Sequence, residues 1–448
     1  MKRLSIFLLL LFPLSLFSQN FDKEKLDKYL EIIESGNKAM FSLAISKGGN
    51  TVYEKSIGYA SETDKLKNNS DTKFRIGSIS KVFTTVMIFQ LIEEGKLSLE
   101  TTLDKYYPKV KNADRITVSN LLNHSSGIFN MTNAPSFVSF MVDPKSKQEM
   151  VTLIEGLESD FEPGTNSSYS NSAFVLLGFI VEDITNSSYQ EQVNSRIINK
   201  LNLKRTAYGG KIDPKENEAY SFEFFNGIWV KTSIESDMSI PGGAGAMVST
   251  PKDLLVFIQA LFNGELISQN SLDQMKIIER GFGKGLFVIP FKQRKSFGHG
   301  GSIDQFKSTL TYFEDEKLAI ALTVNGATQS TNDILIGILS IAFNEQFTLP
   351  NTDEKPIQLT PKALSKFTGT FSSQSEQLPL KIVFKVSNGK LQAQATGQGP
   401  ISLTAFSQTE FRFAQAGIVI KFKEENSQID YSQFSLLQGG GNFKFKRD

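Results

Sequence analysis

The chain has 448 residues and no cysteine. Disulfides, thiol nucleophiles and cysteine-ligated metals are therefore excluded, as is a lipid anchor on cysteine. Histidine is almost as scarce. His124 and His299 are the two present, and neither has a second histidine four residues on. That excludes a zinc hydrolase of the His-Glu-x-x-His type. The reading calls for no cofactor and no metal. Charge of one sign is missing too: 48 basic and 47 acidic residues leave a net +1, with no basic block. Nucleic-acid binding has no electrostatic support. The glycine clusters lack the neighbours that would make them nucleotide loops. Pro241-Gly-Gly-Ala-Gly245 has no lysine and serine or threonine at phosphate-loop spacing, and Gly281-Phe-Gly-Lys-Gly285 fails the dinucleotide pattern.

Long apolar runs are absent beyond the N-terminus. There, Lys2 and Arg3 precede an apolar run from Ile6 to Phe17, then Ser18-Gln19. The run is shorter than the ~20 residues of a membrane span. Residues 1–18 thus read as a signal peptide, with an uncleaved anchor as the alternative. The mature protein is expected to have no transmembrane anchor and to be periplasmic or secreted. A hydrophobic content of 40% fits a chain with a real core, and the length allows two or three domains.

The most informative stretch is Phe74-Arg-Ile-Gly-Ser-Ile-Ser-Lys81. Val82, Phe83, Val86, Met87, Gln90 and Leu91 follow it at helical spacing. Ser78 and Lys81 should lie near the start of a buried helix, on one face. A serine hydroxyl is a poor nucleophile until a base takes its proton. A lysine serves as that base when burial and the positive helix end disfavour its ammonium form. The helix start also offers free N–H groups for an oxyanion.

Ahead of it, Phe21–Asn37 reads as a short helix. Phe41–Ser46 and Thr51–Ile57 read as a hairpin about Gly48-Gly49-Asn50. Thr117–Gly127 reads as a short capped helix and turn. Its His124 is either catalytic or a hydrogen-bonded support of the turn. Residues 131–160 read as helical and lid-like. In Phe161-Glu-Pro-Gly-Thr-Asn-Ser-Ser-Tyr-Ser-Asn171, Pro163-Gly164 forces a turn. Tyr169 and Asn171 then share one side of an extended segment ahead of a helix. Alternatively, Tyr169 packs and Asn171 caps. Ser296-Phe-Gly-His-Gly-Gly-Ser302 lies among strand-like runs. His299 should project from a sheet edge, with Gly300 and Gly301 letting a substrate lie against the backbone. Residues 344–360 read as a linker. Beyond it, alternating strands with an Asn388-Gly389 hairpin signal read as a small all-β barrel.

Together Ser78-x-x-Lys81, Tyr169-x-Asn171 and His299-Gly-Gly301 resemble the serine β-lactamase and penicillin-binding-protein superfamily. The class C-type enzymes and related esterases are the nearest branch. Leu121-Leu-Asn-His-Ser-Ser-Gly127, Phe161-x-Pro-Gly164, Gly242-Gly243 and Asn263-Gly264 resemble it too. The resemblance covers roughly residues 25–343. Lys366-Phe-Thr-Gly-Thr-Phe371 is similar to the start of lipocalin-like domains appended to some of these hydrolases.

The resemblance implies an α+β fold: an antiparallel sheet flanked by helices, with a helical subdomain. The division would be a hydrolase domain over 19–343, a linker over 344–360 and a lipocalin-like barrel over 361–448. Ser78 would be the acylated nucleophile and Lys81 its base. Tyr169 would be a second base, its phenolate favoured by Lys81. Asn171 would orient Lys81 and the substrate amide, and His299, Gly300 and Gly301 would line the substrate. The backbone N–H groups of Ser78 and Ser302 would form the oxyanion hole, worth ~3 kcal/mol per donor. β-Lactamases usually carry Lys-Thr-Gly or Lys-Ser-Gly at the third motif. His299 in its place favours an ester or a D-amino-acid-type peptide over a β-lactam or a D-Ala-D-Ala terminus. The expected partner is a small-molecule or peptide substrate. A non-catalytic ligand-binding homologue is the reading from another class. A C-terminal barrel that caps the active-site mouth is compatible with the first.

Overall fold

The computed structural model describes residues 21–350, 355–375, 379–425, 428–438 and 441–448. The expected signal segment, residues 1–18, lies outside them. Among the described residues, no helix is long and apolar enough to cross a membrane.

Helix α1 (Lys23–Ser35) starts where the Asp22 side chain accepts the Lys25 N–H at 2.9 Å. It buries Leu26, Tyr29, Leu30 and Ile33, one stripe at helical spacing. Strands β1 (Ala39–Lys47) and β2 (Asn50–Ile57) form the expected hairpin. Helix α2 (Ser80–Glu93) is buried almost all round, as its apolar composition requires. Helix α3 (Asn171–Thr185) is capped by Ser170, not Asn171, which frees the Asn171 side chain for other work. Helix α4 (Pro251–Phe262) uses the cap that the sequence shows: Thr250 accepts the Asp253 N–H, and Pro251 fills the first turn.

Strands β3 (Phe287–Phe291), β4 (Arg294–Ile303), β5 (Phe306–Phe313) and β6 (Leu318–Ala327) follow, then helix α5 (Thr331–Ala342). The six strands make one antiparallel sheet in the order β3-β4-β5-β6-β1-β2. The two ends of this region therefore meet where β1 pairs with β6. Both faces of the sheet are covered. Helices α1 and α5 close a core over one face, with Leu30, Phe41, Ile320 and Ile338 in it. Helices α2, α3 and α4 close the larger core over the other. This is the expected α+β arrangement. One detail of register positions the site. Strand β3 pairs with β4 only as far as Gly298, so from His299 onward β4 is the free edge.

The C-terminal strands β7 (Gly369–Ser373), β8 (Lys381–Ser387), β9 (Lys390–Ala395), β10 (Ile401–Ser402), β11 (Thr404–Ala405), β12 (Glu410–Phe413), β13 (Ile418–Glu425), β14 (Gln428–Gln438) and β15 (Gly441–Arg447) form a second sheet. Its order is β10-β9-β8-β7-β15-β14-β13-β12-β11. Its end strands β10 and β11 are separated in sequence by Leu403 alone. The sheet must curl until its edges nearly meet. Phe371, Phe384, Phe411, Phe422, Phe434 and Phe445 fill the interior. Asn388 and Gly389 turn β8 into β9 with φ of 51° and 72°, the positive values that a two-residue hairpin needs. The described parts of 344–360 contain no helix or strand. They are nonetheless held: Phe347 meets Tyr29 edge-on at 5.1 Å, and the Ile357 N–H donates to the Ala405 carbonyl at 2.9 Å. The second sheet also docks beside α5, where Ser330 N–H donates to the Ala414 carbonyl at 3.1 Å.

Candidate active site

Ser78 lies in a single 3-10 turn, Gly77–Ile79, that runs directly into α2. Ser80 braces this turn. Its hydroxyl donates to the Gly77 carbonyl at 2.7 Å and accepts the Met247 N–H at 3.0 Å. Three residues after Ser78, Lys81 falls on the same face and is fully buried. Its Nζ lies 3.1 Å from Ser78 Oγ, 2.7 Å from Asn171 Oδ1 and 2.8 Å from the Ala244 carbonyl. Among the described residues, no carboxylate pairs with it. Burial therefore holds its pKa well below the ordinary lysine value.

The three contacts fix the amine's geometry. A neutral amine has two N–H bonds and one lone pair. The Ala244 carbonyl and Asn171 Oδ1 can only accept, so they take the two hydrogens. The lone pair is left facing the Ser78 hydroxyl. The Asn171 amide cannot reverse without loss. Its Nδ2 donates to Asn130 Oδ1 and Thr132 Oγ1, each at 3.2 Å.

Tyr169 stands beside this pair, with Lys81 Nζ 4.8 Å from its ring centre. Burial pushes its phenol well above the ordinary tyrosine value, and the Ser78 hydroxyl pulls only weakly the other way. This differs from the phenolate that the sequence suggested. Burial also disfavours the Lys81 ammonium that would serve as the phenolate's counter-charge. His124 takes the second of its two sequence readings. Its Nδ1 accepts the Ser170 N–H at 3.1 Å, its carbonyl accepts the Ser168 N–H at 2.9 Å, and its ring lies 4.4 Å from that of Tyr169. It clamps the segment on both sides of the tyrosine.

Strand β4 closes the site from the opposite side. His299 is buried, and its Nδ1 hydrogen-bonds the Gly300 carbonyl. Burial, then the nearby Lys81, pushes its pKa down to about 3, so the ring is neutral. Gly301 has no room for a side chain: a Cβ there would lie 2.0 Å from the Ile76 carbonyl oxygen. Ser302 follows at the free edge. A Cβ on Gly77 would come within 2.8 Å of Ser302 N, so these two backbones touch. Ser78, Lys81, Tyr169, Asn171, His299, Gly300, Gly301 and Ser302 thus converge.

A cleft of about 260 Å³ opens over Ser78. Met131, Phe137, Met141, Ile240 and Ile303 give it an apolar wall, and all its lining residues precede 305. The C-terminal sheet contributes none of them. Sequence reasoning missed Asn130, Thr132 and the Ala244 carbonyl, which carry no motif of their own. It also missed Arg75, adjacent to the first motif. This buried guanidinium donates to Asp304 Oδ2 and the Ser236 carbonyl at 2.8 Å, to the Gly210 carbonyl at 2.9 Å and to Glu235 at 3.1 Å. It ties together one wall of the cleft.

Comparison with known proteins agrees with this geometry. Residues 31–341 match the family described as Beta-lactamase. A penicillin-binding protein of Bacillus subtilis (strain 168) is 26% identical over 420 residues, spanning 86% of this chain and 91% of that protein. Among solved structures, D-amino acid amidase from Ochrobactrum anthropi SV3 complexed with L-phenylalanine amide is similar. It has a TM-score of 0.64 and 26% identity, over 71% of this chain and 99% of its own. The octameric penicillin-binding protein homologue from Pyrococcus abyssi has a TM-score of 0.65 at 22% identity. It covers 95% of this chain and 99% of its own, a likeness of fold that extends into the C-terminal sheet. The family match spans well over half of the chain, and this protein belongs to the β-lactamase family as one of its serine hydrolases.

Proposed function

We propose that the protein is exported and hydrolyses an ester, amide or peptide bond through an acyl-enzyme on Ser78. A D-amino-acid-type peptide or an ester is the favoured substrate. The observation that carries this reading is the fully buried Lys81 amine 3.1 Å from Ser78 Oγ, with both of its hydrogens committed elsewhere.

In acylation, the Lys81 lone pair takes the Ser78 proton as Oγ bonds to the substrate carbonyl carbon. The oxyanion is held by the N–H groups of Ser78 and Ser302. Collapse expels the leaving group, which takes the Tyr169 phenol proton. Lys81 is now an ammonium beside a phenolate, and each charge stabilises the other. In deacylation, the phenolate takes a proton from water as the hydroxide attacks the acyl carbon. Departing Ser78 Oγ recovers its proton from Lys81, and the resting state returns. Asn171 holds the amine on line throughout. His299, Gly300 and Gly301 shape the strand that the substrate lies against.

Residues 361–448 form a separate unit in this proposal, joined through 344–360, and its own phenylalanine core supports that division. Its lipocalin-like character rests on Lys366–Phe371 alone. The reading is tested with a fluorophosphonate probe. Wild type should be labelled covalently, and Ser78→Ala should not. Labelling that persists in Ser78→Ala would remove Ser78 as nucleophile. Turnover of nitrocefin at ordinary β-lactamase rates would reverse the substrate preference.

A further inference from the structure

We infer that the hairpin of strands Phe222–Phe225 and Ile228–Lys231 is a lipid-docking element: its tip enters an anionic bilayer surface while lysines at its base meet the headgroups. The inference stands apart from the reaction at Ser78.

Asn226 and Gly227 turn this hairpin, with φ of 49° and 86°. Its register pairs Phe222 with Lys231, Glu223 with Val230, Phe224 with Trp229 and Phe225 with Ile228. Paired residues share a face, and successive pairs alternate. One face holds the hairpin to the molecule. Phe222 is buried, and a Cβ on Gly326 of β6 would come within 2.9 Å of the Trp229 ring. Phe224 meets Trp229 edge-on at 4.9 Å. The other face and the tip are uncovered. Phe225 is 65% exposed, Ile228 63%, Val230 43% and, beside the tip, Phe224 38%. A sheet face turned to water ordinarily carries polar residues. The two-residue turn at Asn388-Gly389 does so, with Ser387 and Lys390 as its closing pair. Turn chemistry therefore gives no reason for Phe225 and Ile228.

Size and charge together select the occupant. The four exposed side chains present roughly 400 Å² of apolar surface. A stable protein partner, a second copy included, buries about 800 Å² on each side. A bilayer sets no such minimum, and an amphipathic element enters it about 5–10 Å deep. The hairpin matches that depth: at about 3.4 Å per residue, Lys231 stands about 10 Å behind Ile228. Trp229 falls between them, at the level where an indole is favoured. The Lys231 ammonium lies 3.5 Å from the centre of the Tyr220 ring, and that of Lys67 lies 5.4 Å from the centre of the Tyr59 ring. The carbonyls of Tyr59 and Tyr220 both accept from Asn325 Nδ2 at 2.8 Å, so the two lysines flank the base of the hairpin. Among the described residues, neither lysine pairs with a carboxylate. Glu223, the acidic residue of the hairpin, is engaged by Gln305 Nε2 at 2.9 Å. Unpaired ammonium groups behind an apolar tip suit an anionic leaflet.

Trp229 is the chain's one tryptophan, so its fluorescence reports on the hairpin directly. The test uses residues 19–448, which keep every described element and leave out the apolar run Ile6–Phe17, itself able to enter lipid. Vesicles of phosphatidylcholine with phosphatidylglycerol should shift the emission to the blue, and brominated acyl chains should quench it. Phe225→Ser combined with Ile228→Ser should weaken vesicle binding by about tenfold or more, with the unfolding midpoint in place because both residues are exposed. Lys67→Gln and Lys231→Gln should each weaken binding to the anionic vesicles by about fivefold. No shift and no quenching would overturn the inference, as would equal binding by the double serine variant. Equal affinity for vesicles of phosphatidylcholine alone would overturn the role of the lysines. A blue shift that grows with protein concentration in the absence of vesicles, and that the serines abolish, would show a second copy on the tip and overturn the lipid assignment.

Discussion

Replacing Gly77 with alanine adds one methyl group and touches no reacting side chain. Gly77 has φ of +50°, where an alanine costs about 1–2 kcal/mol. The new Cβ would lie 2.8 Å from Ser302 N and 2.9 Å from Ser302 C and O. Non-bonded heavy atoms prefer about 3.5–4.0 Å. The Ser302 backbone must therefore retreat by several tenths of an ångström to about 1 Å. An oxyanion donor works at about 2.7–3.1 Å, and losing one costs about 10²–10³ in kcat. The expected outcome is a folded protein that is modestly less stable, with kcat on an aryl ester reduced about 10²-fold or more and probe labelling of Ser78 slowed in step. Gly227→Ala is the control. Gly227 has φ of +86° and nothing within 4 Å of an added Cβ. It should show the conformational cost in its unfolding midpoint and full activity. If Gly77→Ala stays within about threefold of wild-type turnover while losing stability like the control, Ser302 N–H is not an oxyanion donor.

With an aryl ester, whose phenolate leaves without needing the Tyr169 proton, Tyr169→Phe should acylate and then stall, because no group remains to take the proton of water. Intact mass should show an accumulated ester adduct and a steady-state rate down by about 10²–10⁴; normal turnover without an adduct would refute the assignment. The acidic limb of kcat/KM should report Lys81, whose buried amine sheds its proton well below the ordinary lysine value. Activity should rise with pH as that proton leaves. His299, with a pKa pushed down to about 3, stays neutral from pH 5 to 9. His299→Asn should then leave the limb's midpoint in place, and a shifted midpoint would show that the imidazole titrates there. Arg75→Met leaves the Asp304 carboxylate buried and unpaired, a change that typically costs about 3–5 kcal/mol. Denaturant unfolding measures it, and a loss under about 1 kcal/mol would mean that the ion pair does not hold the cleft wall.

Much of the site was legible because it is local. A helix puts residues three apart on one face, so Ser78-x-x-Lys81 implied a paired hydroxyl and amine. Tyr169 and Asn171 follow a Pro-Gly turn at the mouth of a strongly periodic helix, and two-residue spacing on extended backbone sets their side. The hairpin at Gly48-Gly49 and the cap at Thr250 were equally plain. The detail of Ser170, not Asn171, as the cap was not, because a serine and an asparagine side by side are both good caps. The partners of these residues were hidden by distance along the chain. Lys81 meets the Ala244 carbonyl across 163 residues, and Arg75 meets Asp304 across 229.

The amino-acid order by itself determined the candidate reacting groups, the family and the order of the elements, since each rests on spacings of a few residues. Tertiary structure alone decided their protonation. The packed core strips water from Lys81 and His299 and so disfavours the charged form of each, and desolvation belongs to the assembled interior, not to any window of sequence. It also decided that Gly77 abuts Ser302, because the free edge of β4 beyond Gly298 exists only once the sheet has formed.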